Sequence, residues 1–240
     1  MDLFDSELRV IASARELASS LGADAHHTVA AAAMDTTGRI HTGVNVNHFT
    51  GGSCAEIVAI GTAAAVGAGP LVTIAAVGDH DRGVLSPCGR CRQVILDLHP
   101  DALLILPDRA TGGETIAAVP ALLPHAYRHP DAAPMRLLRL SARYFDAVHT
   151  GTKTLSVRWN ESHRTGPALA YFEDTEHGTI PIDITSVTRK RLDALTAGDL
   201  ELARPTGLQR YLANLRSHYP TMPEDATVEI VRFRRTTSDI

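Results

Sequence analysis

Three cysteines in two short motifs most constrain what this chain can fold into. They stand in Cys54-Ala-Glu56 and in Cys88-Gly-Arg-Cys91, and the 240-residue sequence contains no others. Each motif directly precedes a stretch with helical character, and the backbone N–H groups at the start of a helix favour a thiolate over a thiol. If the fold brings the two helix starts together, three thiolates can hold one Zn²⁺ ion. Tetrahedral coordination then leaves a fourth position for water, as in catalytic zinc sites.

Two other interpretations of these residues stay open at the level of the sequence. One of the 12 histidines could complete a structural site with three cysteines and one histidine. Glu56 could be a favourable acid in the first turn of a helix, or it could exchange protons with a water molecule held beside it. Two helix N-termini and hydrogen bonds from Arg90 or Arg92 to the sulfur atoms could offset the negative charge of three thiolates; the alternative is that either arginine is a surface charge.

Apolar periodicity and turn residues predict alternating helices and strands in the first half. The predicted helices cover Leu3–Leu21, Ile57–Val66 and Cys91–Leu98, and the predicted strands cover Thr28–Met34, Ile40–Val46, Leu71–Val77 and Ala102–Leu106. This alternation favours an α/β fold, an α/β/α sandwich around a mixed sheet.

The second half has a different composition. Up to Pro134 the chain has 8 arginines, no lysine and 14 acidic residues, whereas the remainder has 15 basic and 13 acidic residues. We therefore predict a domain over residues 1–130, a linker over 131–135 and a small β-rich domain over 136–240. The predicted strands of the second domain are Thr154–Trp159, Ala168–Phe172, Ile180–Val187 and Thr227–Phe233, and the predicted helices are Ser141–His149 and Leu208–His218.

Composition narrows the classes of function. The net charge of -4 and the pI near 6.3 do not indicate a broad nucleic-acid-binding surface. The sequence shows neither a secretory signal pattern nor a membrane span, so we expect a cytoplasmic protein with no membrane partner.

The cysteine motifs resemble the zinc signature of the cytidine deaminase superfamily, which the spacing of Cys54, Glu56, Cys88 and Cys91 matches. Further similarity to the blasticidin S deaminase branch lies in Gly43-Val-Asn-Val46, His48-Phe-Thr-Gly-Gly52 and Leu85-Ser-Pro-Cys-Gly-Arg-Cys-Arg-Gln-Val94. The resemblance implies hydrolytic deamination of the cytosine base of a nucleoside or nucleoside antibiotic, with Cys54, Cys88 and Cys91 as zinc ligands and Glu56 as the catalytic acid and base. It also implies a homotetramer.

The same resemblance implies five substrate-binding residues. They are Thr28, Asn45, Asn47, Arg82 and Tyr127. Arg82 would pair with a carboxylate on an antibiotic ring, although a loop arginine is more often solvated. Asn47 stands where nucleoside deaminases have a glutamate, and an amide offers a ribose fewer acceptor atoms than a carboxylate does. Unmodified cytidine is therefore not the expected best substrate.

Residues 136–235 resemble the ASCH domain, a PUA-like β-barrel, through Gly151-Thr-Lys-Thr-Leu-Ser-Val-Arg158. Some members of that family hydrolyse N4-acyl cytosine derivatives, which implies catalytic roles for Lys153 and Ser156, although an exposed lysine at the start of a strand is the commoner case. An amide hydrolysis could thus precede deamination. The two alternatives are an N4-acylcytosine amidohydrolase whose first domain only recognises the substrate, and an RNA-binding protein, which is not favoured.

Overall fold

The computed structural model describes residues 3–128, 133–174, 177–202, 204 and 206–236. Its residues cluster into two compact units. Unit 1 comprises Met1–Leu137 with Glu173–Thr179, and unit 2 comprises Leu138–Phe172 with Ile180–Ile240. Part of the predicted linker, residues 131 and 132, lies outside the described residues. The domain boundaries inferred from the sequence stay a prediction.

Unit 1 is built on a mixed sheet. Its elements are α1 (Asp5–Ser20), β1 (Val29–Asp35), β2 (Ile40–Val44), α2 (Ala55–Ala65), β3 (Leu71–Gly78), β4 (Gly83–Leu85), α3 (Gly89–Leu98), β5 (Leu103–Pro107) and β6 (Glu114–Ala118). The strand order is β2-β1-β3-β5-β6, with β4 paired to β3. β3 and β5 are parallel, whereas β1 is antiparallel to both β2 and β3. The mixed α/β fold predicted for this half is confirmed, and the short strands β4 and β6 were not predicted.

Helices cover both faces of this sheet, and the middle of strand β1 is a run of four alanines. Ala31 and Ala33 are fully buried in the same core cluster as Ile60 of α2 and Ile95 of α3. Side chains alternate between the two faces of a strand, and α1 packs against β1 and β3 outside that cluster. Methyl side chains let the helices approach the sheet closely, so the layers are α/β/α.

Unit 2 is β-rich. Its elements are β7 (Arg136–Ser141), α4 (Phe145–His149), β8 (Leu155–Trp159), β9 (Gly166–Glu173), β10 (Thr179–Arg191), α5 (Gly207–His218) and β11 (Thr227–Arg235). The strand order is β7-β9-β10-β11-β8. Among the described residues this sheet is open, with β7 and β8 as its edge strands. The PUA-like barrel therefore stays a prediction, and β7 was missed.

Strand β11 separates two hydrophobic clusters of unit 2. Val231 and Phe233 pack with Phe172 in one cluster, while Val228 and Ile230 pack with residues of α5 in the other. Alternate side chains of β11 thus enter different hydrophobic clusters, as expected for a strand that is buried on both faces. Across the part of the chain that the structure describes, no helix combines the length and the apolar character needed to cross a membrane.

Candidate active site

The start of α2 depends on glycines. Cys54 is the N-cap residue of this helix, with extended backbone angles. In the preceding segment Gly51 has a φ of 101°, which side-chain-bearing residues rarely adopt. A Cβ atom on Gly52 would lie 1.7 Å from the carbonyl oxygen of Val46. The two glycines thus allow the chain to turn tightly into the helix and set the position of Cys54.

The start of α3 brings two further sulfur atoms to the same place. Cys88 is the N-cap residue, and its Sγ accepts a hydrogen bond from the backbone N–H of Cys91 at 3.5 Å. The Sγ atom of Cys88 lies 3.6 Å from the Sγ atoms of both Cys54 and Cys91, and all three sulfurs lie within 4.8 Å of one another. Zn–S bonds of about 2.3 Å in a tetrahedron place sulfurs roughly 3.8 Å apart. The three thiols therefore fit one zinc ion.

The three thiols have different proton affinities. Burial raises the pKa of the Cys91 thiol, and the Glu56 carboxylate raises it further. Burial likewise raises the pKa of Cys54, with contributions from its contact with Cys88 and from Glu56. Burial would also raise the pKa of Cys88, but its contacts with the backbone N–H of Cys91, with the thiols of Cys91 and Cys54 and with the N–H of Arg90 outweigh it, so the net shift is downward. Three groups that become anionic on ionisation thus converge here, and a divalent cation would favour their ionised forms.

Glu56 lies in the first turn of α2 with only 6% of its surface exposed. It follows Cys54 by two residues, and its carboxylate raises the pKa of both the Cys54 and the Cys91 thiols. An isolated glutamate in a first helical turn is normally solvated. The burial of Glu56 beside sulfur atoms instead provides a proton acceptor within the candidate metal centre.

The two arginines of the second motif do not act as expected. The Nη1 atom of Arg90 donates to the carbonyl oxygen of Gly52 at 2.9 Å. The Nε atom of Arg92 donates to the carbonyl oxygen of Pro87 at 2.9 Å, and its Nη1 donates to that of Leu122 at 3.0 Å. The expectation that one of them bonds to the sulfurs is wrong. The long arginine side chains donate to backbone carbonyl groups and not to the thiols. Arg90 thereby stabilises the turn at Gly51-Gly52, and Arg92 stabilises the start of α3.

Three of the five predicted substrate-binding residues meet at the start of β1. The Oδ1 atom of Asn45 accepts hydrogen bonds from the N–H groups of Thr28 and Val29, both at 2.7 Å. The guanidinium group of Arg82 donates to the carbonyl oxygen of Thr28 and forms an ion pair with Asp79 at 2.6 Å. Burial would raise the pKa of Asp79, but this ion pair holds it below its usual value. Arg82 is therefore fixed within unit 1 and not a freely solvated loop charge.

The other two predicted substrate-binding residues lie on the surface. Asn47 is exposed, and its backbone N–H donates to the carbonyl oxygen of His26 at 2.8 Å. Tyr127 is 68% exposed, and its carbonyl oxygen accepts a hydrogen bond from the side chain of Gln93 on α3. Sequence analysis missed Asp79, although its spacing of three residues from Arg82 is typical of a local ion pair.

Comparisons with known proteins bear on the thiol cluster directly. Residues 5–106 match the family described as the cytidine and deoxycytidylate deaminase zinc-binding region. The chain is 33% identical over 114 residues to a blasticidin-S deaminase from Bacillus cereus, covering 44% of this chain and 81% of that protein. The chain belongs to the cytidine deaminase family.

Other relatives of this deaminase-family chain match the same half. A cytidine deaminase from Mycobacterium tuberculosis is 43% identical over 79 residues, which cover 32% of this chain and 59% of that protein. A solved cytidine deaminase structure from Burkholderia pseudomallei has 30% identity and a TM-score of 0.42, covering 52% of this chain and 100% of that chain. The family's zinc-binding region and the cluster of three cysteines identify Zn²⁺ as the cofactor.

The two residues predicted to be catalytic in the second half both lie in unit 2 of this deaminase-family protein. Ser156 is 7% exposed on β8. Lys153 lies two residues before β8, and its Nζ donates to the carbonyl oxygen of Leu155 at 2.8 Å. Burial, and then the charges of Arg158 and Arg143, lower the pKa of Lys153 to about 8. Lys153 is thus not an ordinary exposed lysine.

Proposed function

We propose that this protein deaminates the cytosine base of a nucleoside or nucleoside antibiotic, consuming water and releasing ammonia to leave uracil. The proposal depends above all on one observation: a buried glutamate accompanies three converging thiols at two helix starts. A closed structural site would not require that carboxylate, and the relatives named above are deaminases.

In this proposal Cys54, Cys88 and Cys91 hold the zinc ion, which supplies Lewis-acid activation of water when bound. Glu56 accepts a proton from the attacking water. It delivers this proton to the ring nitrogen of the base, then takes the proton of the newly added hydroxyl group and delivers it to the departing amine, so that one carboxylate serves as base and as acid. Its burial keeps bulk water from competing for these protons.

Thr28, Asn45, Asn47, Arg82 and Tyr127 form the proposed substrate-binding set. The shared backbone contacts of Asn45 and Arg82 with Thr28 support a common site for three of them. The Oδ1 atom of Asn45 accepts two backbone bonds, and its Nδ2 donates one N–H to the carbonyl oxygen of His26 at 3.4 Å, so we expect the second N–H to face a sugar oxygen. Asn47 is exposed and free to contact the part of the substrate that distinguishes an antibiotic from cytidine.

The test is Glu56→Gln, an isosteric change that cannot accept a proton. We expect kcat for deamination of blasticidin S or cytidine to fall by about 10² to 10⁴-fold, while zinc content measured by elemental analysis stays at the parental level. Cys88→Ala should lose both zinc and activity. Glu16→Gln, on the exposed surface of α1, is the matched control and should change neither. Deamination by Glu56→Gln at the parental rate would contradict the assignment.

A second candidate function belongs to unit 2. We propose Lys153 and Ser156 as catalytic residues for hydrolysis of an N4-acyl cytosine, supported by the burial and lowered pKa of Lys153. Both reactions would act on the same nitrogen, since removal of the acyl group exposes the amine that deamination replaces. Incubation with an N4-acylcytosine nucleoside should release the free acid, and Ser156→Ala should abolish the release. Salt-sensitive RNA binding without hydrolysis would favour the RNA-binding alternative instead.

We also propose a homotetramer. Phe49 is 94% exposed beside His48, with ring centroids 4.4 Å apart, and Val46 is 47% exposed in the same loop. Val46 also lines an open depression that includes Gly52 and Arg90. An exposed apolar cluster bordering a site is typical of a surface that another subunit covers. Light scattering of the zinc-loaded protein should give four times the chain mass, and Phe49→Ser should reduce it.

A further inference from the structure

Unit 2 contains a group of cationic side chains arranged around one tyrosine ring. The Nζ atom of Lys153 lies 4.3 Å from the centroid of the Tyr144 ring. The Cζ atom of Arg143 lies 4.8 Å from the same centroid, and its Nη2 donates to the Tyr144 Oη at 2.9 Å. A single cation on a ring is a common stabilising contact, but two cations on one ring also repel each other. We call Arg143, Tyr144, Lys153, Arg158 and His218 the Tyr144 cluster.

A third cation and a histidine complete the cluster. The side chain of Arg158, on β8, is 13% exposed and raises the local positive potential enough to lower the pKa of Lys153. The Nε2 atom of His218, at the end of α5, lies 3.1 Å from the Arg143 Nη2. Arginine can only donate, so this His218 nitrogen accepts and the ring is neutral. Burial, and then the charges of Arg143 and Arg158, lower the pKa of His218, which agrees with that protonation state.

In the part of the chain that the structure describes, no carboxylate contacts Lys153 or Arg143. Arg158 lies 3.7 Å from the Glu161 carboxylate, which also accepts a hydrogen bond from Tyr219 Oη and lies 3.4 Å from His163. Lys153 donates to the neutral carbonyl group of Leu155 and lies over the neutral ring of Tyr144. Keeping like charges together in a partly buried place costs free energy, and a bound anion would recover that cost.

We propose that unit 2 binds a small ligand through an oxyanion, a phosphate monoester or a carboxylate, that is held by Lys153 and Arg143. Arg158 adds to the positive field from β8. The site is independent of deamination in unit 1. Lys153 acts here as a charged donor, whereas amide hydrolysis requires it to take part in chemistry. Replacement by arginine, which keeps the charge but cannot lose its proton, separates the two roles.

Calorimetric titration of the full-length, zinc-loaded protein at pH 7 tests the proposal. The probes are phenyl phosphate, benzoate and inorganic phosphate, with neutral benzamide as the control; none contains a cytosine that unit 1 could bind. We expect saturable binding of phenyl phosphate or benzoate and none of benzamide. Whichever of phenyl phosphate and benzoate binds with the higher affinity identifies the acidic group of the ligand as a phosphate or a carboxylate. The affinity for inorganic phosphate shows how much of the binding comes from the charge alone.

Variants assign the binding to the Tyr144 cluster. Lys153→Met and Arg143→Leu should each weaken binding by about tenfold or more, and Lys153→Arg should stay within about threefold of the parent. Lys190→Met, at the other lysine of the chain, should leave the affinity unchanged. Arg143 is exposed, so Arg143→Leu remains informative if Lys153→Met fails to fold.

Several results would overturn the proposal. They are the absence of saturable oxyanion binding by the parent, equal binding of benzamide, and unchanged affinity in both Lys153→Met and Arg143→Leu. A single-stranded RNA oligomer that bound far more tightly than either small oxyanion, with steep salt dependence, would overturn the assignment to a small ligand.

Discussion

Lys153 and Lys190 are the two lysines of the chain, and their environments are opposite. The Nζ atom of Lys190 lies 2.5 Å from the Asp199 Oδ2, and this contact lowers the pKa of Asp199 to about 2. Lys153 is instead largely buried and lies near the positive charges of Arg158 and Arg143. Burial first, and then these charges, lower its pKa to about 8. Folding therefore favours the charged form of Lys190's partner but disfavours the charged form of Lys153.

The first prediction concerns the stability that Lys153 contributes at different pH. Its folded pKa of about 8 is below the unfolded value of 10.5, so the unfolded chain holds more protons between these values. The free energy of unfolding should therefore rise, through this residue, by roughly 2 kcal/mol between pH 7.5 and 10. Urea unfolding of the parent and of Lys153→Met at both pH values measures the difference. Lys190→Met should keep the parental rise, and an identical rise in Lys153→Met would show that the lysine is not desolvated.

At the scale of elements, the position of α2 against β2 controls the candidate metal centre. A Cβ atom on Gly43 of β2 would lie 2.3 Å from the backbone nitrogen of Ala59 and 2.8 Å from the carbonyl oxygen of Ala55. Both atoms belong to α2, the helix that is capped by Cys54 and carries Glu56. The absence of a side chain at Gly43 thus sets how closely this helix approaches the sheet.

The second prediction is that Gly43→Ala lowers the free energy of unfolding by about 2 kcal/mol or more and weakens zinc binding, because α2 must move away from the sheet. Gly61→Ala is the matched control on the same helix. A Cβ atom there meets nothing within 4 Å, so this change should raise stability by about 0.5 to 1 kcal/mol. Urea unfolding and competition with a zinc-binding dye measure both effects. Equal stability of the two variants would show that β2 and α2 can separate without cost.

At the scale of the whole molecule, the two units can be followed by different signals. Trp159 is the only tryptophan of the chain, and its ring contacts that of Tyr219 within unit 2 at 5.9 Å between centroids. The thiol cluster lies in unit 1, where it joins the starts of α2 and α3. Tryptophan fluorescence thus reports on unit 2, and circular dichroism reports on both units.

The third prediction is that zinc chelation lowers the melting temperature of a circular dichroism transition by about 5 °C or more, because binding to the folded state alone stabilises it. The melting temperature measured by Trp159 fluorescence should be unchanged by chelation, because unit 2 has hydrophobic clusters of its own. Adding zinc back is the control for damage by the chelator. A shared shift of both transitions would show that the two units unfold together.

Local chemistry in the sequence was sufficient for the parts of the site that belong to single motifs. The N-cap positions of Cys54 and Cys88 follow from cysteines placed directly before helix-forming stretches, and the structure has both. Most helices and longer strands follow from apolar periodicity. The strands β4, β6 and β7 were missed: β4 has only three residues, β6 has no buried face, and pairing with a neighbouring strand defines all three.

The sequence by itself determined that one cluster of thiols and a glutamate would stand at two helix starts in an α/β half, followed by a β-rich half. Only the tertiary structure decided which groups neutralise one another. It paired Arg82 with Asp79, directed Arg90 and Arg92 to backbone carbonyls, and gathered cations around Tyr144. The reason is that ligand spacing is local along the chain, whereas the field at a charged group depends on every element folded around it.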